Sequence, residues 1–535
     1  VYGVTMPITK KRQYFNDDEV PDDSFVTERI TKCSLSSLCH PEDRDFRPFL
    51  SGAIEYCNKL RVLVSIVAKD HIFATLKEQA EEAARRGIPN AEPLLFEPNQ
   101  NYYSRVKTMV VQGELSQNRG PLPSYEALLR LSKDEVLKSI PLPKYDGKLS
   151  VTTLSLIMGY MLKQLAENLT THVKTHAQDC VKNWLNNQLR SKLTDDQYNS
   201  KYQRRHIGTL KKKLFSAEGP PESLRTIFVA HEHYKVELES AKSSTAGLVG
   251  LFYRLRMDID RLADSTSRKM KLMAVVPQAK IGMSNVKIDG TAATHMVKDI
   301  YRDAAEYDSN MSEEDHWAML FNMDKVNRLR GQTARFGSSI LTDGIAACVQ
   351  FKVVKPTSEK AVKNSVQAAK NKEALPRAIT GPGLYMEKDR LTGNPAHLVA
   401  IDPGIKSIIT AVRLDDPTRK PLKVTQGEYR DASKLNYTMK KRGTRSPDFK
   451  KWMGEVQEVL TDAPSSKSIL RYSEYVKALG SVWNSSWAYH IRPKLRRLKF
   501  YAWRKRESWM VKLVNRVKAY AEGSPILFGD GANSG

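Results

Sequence analysis

Cysteine is scarce: five residues in 535, at Cys33, Cys39, Cys57, Cys180 and Cys348, odd in number and scattered. That excludes a disulfide framework and points to a reducing compartment. No CxxC occurs, and Cys33, Cys39 and His40 find no second pair at zinc-ligand spacing, so they read as buried or surface thiols. His172 and His176 lack the intervening glutamate that a zinc protease needs and read as helix surface. Long apolar runs are also missing, so no membrane-spanning helix and no membrane partner is expected. The start at Val1 shows neither an initiator methionine nor an apolar signal core. Acid is short as well: 60 Asp and Glu stand against 85 Lys and Arg, a net charge of +25. An excess that large goes beyond the needs of solubility and calls for a polyanionic partner, nucleic acid before a membrane surface.

The length suggests several domains, and the hydrophobic period divides the chain. Phe25 to Cys33 alternates like a strand, so residues 1–46 read as N-terminal strands. From Arg47 the period is helical, with Ile54, Cys57, Leu60, Val64 and Val67 on one face, and a long amphipathic helix is expected from Ser150 to Arg190. Residues 47–270 therefore form a helical lobe, whose exposed Lys211, Lys212 and Lys213 are either solvated surface or backbone contacts to nucleic acid. Strands return at 271–355, in Leu272 to Val276 and in Gly344 to Val354 behind the Thr342-Asp343-Gly344 turn. Joining them to the first strand would close a barrel around the inserted lobe. Residues 356–394, polar and lysine-rich, read as a linker into a last domain, 395–535.

That domain opens with Leu398-Val399-Ala400-Ile401, a buried strand that delivers Asp402 into the Pro403-Gly404 turn, with Ile408 to Val412 running back beside it. A strand-borne aspartate in a basic chain suggests a metal ligand of an RNase H-like nuclease; an Asp-Pro-Gly turn is equally ordinary hairpin chemistry. A third strand is expected near 422–428. A basic helix follows, with Arg492, Lys494, Arg496, Arg497, Lys499, Arg504, Lys505 and Arg506 within a run of eleven cations against Glu507 alone. Like charges this dense repel unless an anion lies among them, which favours nucleic-acid contact. Leu495, Leu498, Ala502, Trp509, Leu513 and Val517 mark its expected buried stripe. A helical crossover would then lay Ile526-Leu527-Phe528 parallel to the first strand and bring Asp530 beside Asp402, either as a second ligand of paired Mg²⁺ ions or as a plain Gly-Asp-Gly turn.

The strands around an inserted lobe, Leu341-Thr342-Asp343-Gly344, Ala400-Ile401-Asp402-Pro403-Gly404 and Phe528-Gly529-Asp530-Gly531 together resemble the Fanzor proteins, eukaryotic relatives of the TnpB nucleases. The resemblance implies a multidomain α/β chain: a wedge-type β-barrel with an inserted helical recognition lobe, followed by an RNase H-like (RuvC) nuclease domain. It also implies RNA-guided, Mg²⁺-dependent cleavage of double-stranded DNA beside a short flanking motif. The partners would be a guide RNA (omega RNA) and target duplex DNA, with one protein chain in a nuclear ribonucleoprotein, and Asp402 would be the first RuvC aspartate. The family's glutamate, four-cysteine Zn²⁺ site and final aspartate find no match before Gly535. They are expected downstream, so that Asp530 is at best auxiliary and this polypeptide alone should not cut. Two other readings stand beside this one: an RNase H-fold transposase or resolvase that needs no guide, and a non-catalytic nucleic-acid-binding protein.

Overall fold

The computed structural model describes residues 25–40, 46–87, 94, 96–113, 123–266, 270–304, 307–330, 334–354, 399–402, 407–413, 416, 418–437, 447–522 and 526–528. Strand β1 (Phe25–Ser34) leads into α1 (Phe46–Arg85), α2 (Gln100–Gln112), α3 (Pro123–Leu137), α4 (Val151–Ser191), α5 (Asp195–Asn199), α6 (Gln203–Leu214), α7 (Glu222–Ala241) and α8 (Thr245–Thr266). Then come β2 (Val286–Asp289), α9 (Gly290–Tyr301), α10 (Glu313–Leu320), α11 (Met323–Arg330), β3 (Ala334–Thr342) and β4 (Ala346–Val354). The remainder holds β5 (Val399–Asp402), β6 (Ser407–Arg413), β7 (Leu422–Thr425), α12 (Gln426–Ala432), α13 (Pro447–Asp462), α14 (Tyr472–Ser481), α15 (Trp483–His490), α16 (Pro493–Ala521) and β8 (Ile526–Phe528). The architecture is mixed α/β and predominantly helical.

The first sheet has the order β1-β4-β3-β2, so the N-terminal strand does pair with the later ones and α1–α8 lie between its members in sequence. It is open, not a barrel: β1 and β2 occupy opposite edges and do not pair with each other among the described residues. Four strands are too few to close around a layer of side chains. Instead one face is covered, burying Ala347, Val349 and Phe351. Strand β3 has a register shift between Phe336 and Ile340, which face Phe351 and Val349, so two extra residues bulge there around Ser338 at φ of 47°.

The strand expected at Leu272 to Val276 does not form. This extended segment is held by side chains instead of a ladder, which satisfies its backbone without a sheet. Asn183 and Asn187 donate to the Lys271 carbonyl, Arg256 to that of Met273 and Arg61 to that of Lys280. The Ser65 hydroxyl accepts from Ala279 N, and Asn58 both accepts from and donates to the backbone of Ser284. His172 hydrogen-bonds the Ala274 carbonyl and is half-buried, so it is not the free helix surface that the sequence suggested.

Helix α1 is the centre of the lobe. Every residue from Leu60 to Lys69 is buried, including Arg61, Ser65 and Lys69, as befits a helix enclosed on all sides. Helix α4 starts at a Ser150 cap that accepts from Thr153 N, and both the Ser150 amide and the Thr153 hydroxyl reach Asp299 of α9. Helices α13–α15 follow β7 in sequence yet pack into this same core through Val456, Tyr472, Val476, Leu479, Trp483 and Trp487. Gly480 allows the approach, since a Cβ there would meet the Ser139 carbonyl oxygen at 2.3 Å.

Candidate metal centre and nucleic-acid interface

The second sheet has the order β7-β6-β5-β8. Strands β5, β6 and β7 are an antiparallel meander, and β8 returns parallel to β5 with Val399, Ala400 and Ile401 opposite Ile526, Leu527 and Phe528. A parallel return needs a long crossover, here filled by α12–α16. The sheet buries Val399, Ile401, Ala411 and Val424 against Trp509, Leu513, Val517 and Ala521 of α16. Each of these larger side chains contributes about 1.5–3 kcal/mol of transfer free energy.

Asp402 is the last residue of β5, paired with Thr410 and exposed, one position beyond the Ile401–Phe528 pair. Its carboxylate therefore stands at the strand end where the sequence puts it. Gly529 and Asp530 lie outside the described residues. Among the described residues no three His, Cys, Asp or Glu side chains converge on a metal position. One exposed carboxylate does not hold two Mg²⁺ ions, so the described donors alone do not fit a two-ion centre.

Helix α16 is 29 residues, about 43 Å at 1.5 Å per residue, and it bridges the two sheets. Its C-terminal half covers the second sheet. There the left-handed Glu522 cap, φ of 49°, accepts from Arg413 at 2.8 Å and Arg419 at 2.9 Å, which hold its carboxyl below the usual range. Its N-terminal half reaches the β3–β4 turn, where the Asp343 carboxylate accepts from Ile345 N and Ala346 N and the Thr342 hydroxyl accepts from Gly344 N. The Asp343 carbonyl oxygen accepts from Arg496 Nη1 at 2.7 Å.

Arg496 is consequently a correction: it is only 6% exposed and ties the helix to the turn, so it is not a phosphate ligand. Burial holds its guanidinium below the ordinary value, and its Nε has no hydrogen-bond partner among the described residues. The other cations of this half are outward. Lys494, Arg497, Lys499, Arg504, Lys505 and Arg506 are exposed, while Arg492 is half-buried with its guanidinium 5.7 Å from the Tyr489 ring centre. Of the expected stripe only Trp509, Leu513 and Val517 are buried; Leu495, Leu498 and Ala502 are half-buried. Phe500, Tyr501 and Trp503 lie between these cations and are absent from the expected site; aromatics between cations are the composition of a strand-binding surface.

In the lobe, Lys211 is half-buried and Lys212 and Lys213 are exposed on α6. Burial pushes the Cys33, Cys57 and Cys180 thiols up to about 12, and Cys39 donates to the Leu35 carbonyl. His40 is occupied by the Ala318 carbonyl.

A family model described as a domain of unknown function (DUF8286) matches residues 286–353. The match begins on the first residue of β2 and ends within β4, so it takes in three strands of the first sheet and α9–α11. No curated protein matches the chain. No helix among the described residues is long and apolar enough to cross a membrane.

Proposed function

We propose that this chain is an RNA-guided DNA endonuclease of the Fanzor type, with residues 399–528 belonging to a RuvC-like nuclease unit. The observation that carries the reading is Asp402 at the end of β5, with β8 laid parallel beside it after a helical crossover. That topology sets two strand ends side by side, from which acids for metal-assisted phosphodiester hydrolysis would be supplied. Asp402 would supply one carboxylate, and the remaining donors, Asp530 among the candidates, must complete the set.

The rest of the chain supports a guide. The exposed cations of α16 offer phosphate contacts without a code, and the sequence holds no helix-turn-helix signature or zinc finger that would read bases. Base pairing to an RNA supplies the address in such a protein, while the protein grips the backbone of the hybrid. The outward cations of α16 would give the hybrid a basic surface to lie on.

The test is cleavage by the full-length protein, loaded with its RNA and Mg²⁺, on a matching duplex. Asp402→Ala is expected to abolish cutting and leave duplex affinity within about twofold, because it removes a metal ligand and no phosphate contact. Normal cutting by this variant overturns the assignment.

A further inference from the structure

Phe500 and Trp503 lie one turn apart on α16, with their rings 11° from parallel and centroids 5.9 Å apart. Both are half-buried, whereas Trp509 on the same helix is 6% exposed and serves the core. Neither of the first two is among the residues of the two apolar cores. Lys32 of β1 sets its ammonium 4.8 Å from the Trp503 ring centre, which fixes the indole at the junction of the two sheets. Arg497, Phe500 and Arg504 follow the three- and four-residue spacing of a single helix face, so cations flank the rings.

Flat π-surfaces between cations match one ligand chemistry, a base whose neighbouring phosphates meet the guanidiniums. A duplex hides its base faces in its own stack. The occupant is thus a single strand. We propose that Phe500 and Trp503, with Lys32, Arg497 and Arg504, form a stacking platform for an unpaired nucleotide of single-stranded nucleic acid. This rests on the reading of α16 as a nucleic-acid interface, and it adds that the helix prefers strand to duplex at this point.

The experiment measures binding of the full chain, freed of copurified nucleic acid, to short oligouridylate, short oligothymidylate, an abasic phosphodiester tract of equal length and a duplex. Trp503→Leu keeps apolar volume and removes the flat ring. It is expected to weaken both base-bearing strands about tenfold and leave the abasic tract and the duplex unchanged, with Trp503→Tyr restoring most of the loss. Similar losses on RNA and DNA are expected, because every base has a π-face. Unchanged affinity of Trp503→Leu for both strands overturns the platform, and so does an equal loss on the abasic tract. The variant Arg497→Ala/Arg504→Ala separates the two levels. If it leaves every probe unaffected, the nucleic-acid reading of α16 fails; if it weakens all probes while Trp503→Leu weakens none, only the platform fails.

Discussion

Arg496 Nη1 donates to the Asp343 carbonyl oxygen across 2.7 Å and so fastens the crossover helix of the second sheet to the β3–β4 turn of the first. Gly344 makes the contact possible: it takes φ of 86°, and a Cβ there would lie 2.9 Å from Arg496 Nη1. Charge on this residue serves architecture, whereas charge on its neighbours faces solvent.

Arg496→Ala is therefore expected to lower the melting temperature, removing a charged hydrogen bond to the part-buried Asp343 carbonyl at a cost of about 1–3 kcal/mol, and to leave the salt dependence of nucleic-acid binding unchanged. Gly344→Ala should destabilise by a similar order through its left-handed backbone. A salt slope altered by Arg496→Ala at full thermal stability contradicts the assignment.

The exposed cations should behave oppositely. Replacing Arg497, Arg504, Lys505 and Arg506 with Ala is expected to weaken binding across sequences, each lost phosphate contact lowering the slope of log K on log salt by about 0.7 to 0.9. Titrations at several salt concentrations read the slope. An unchanged slope makes this face solvated surface, and a loss confined to one sequence makes it a base reader.

Lys69 gives stability a pH dependence. Its ammonium is 1% exposed, donates to the Ser466 carbonyl, and lies 4.5 Å from the Tyr472 ring centre and 5.6 Å from that of Phe73. Burial, then the nearby Arg256 and Lys467 charges, lower its pKa from 10.5 to about 7. The folded state thus releases a proton that the unfolded state keeps, so this residue's contribution to stability rises with pH from about 7 towards 10.5 and is least below that window. Lys69→Met should raise the melting temperature most at and below neutral pH and flatten the rise above it. A variant whose melting temperature follows the same pH curve as the wild type contradicts this.

Much of the second sheet was legible because Val399–Ile401 and Ile526–Phe528 are short apolar runs and the long connection between them makes β8 parallel to β5. The span of α4, Val151–Ser191, was legible for the same reason, a long periodic face behind a serine cap. Three features were not. The segment 271–284 has the composition of a strand, but the side chains of α1, α4 and α8 take its backbone groups, which no local pattern announces. Strand β3 hides its period behind the bulge at Gly337 and Ser338. Arg496 is identical in type to Arg497, and only the turn it meets makes one a tie and the other a surface cation. At the candidate site the place of Asp402 at a strand end is legible in the apolar run before it, while the aromatic face of α16 is masked in the sequence by the density of charge around it.

The central claim is that an RNA provides the address. Protein purified from cells that also express the DNA flanking its gene is the direct test: it should carry a discrete RNA and bind duplex DNA tightly only where the duplex matches that RNA. Sequence-specific duplex binding that survives ribonuclease treatment and thorough removal of RNA would contradict the account and favour a transposase or resolvase that reads DNA by itself.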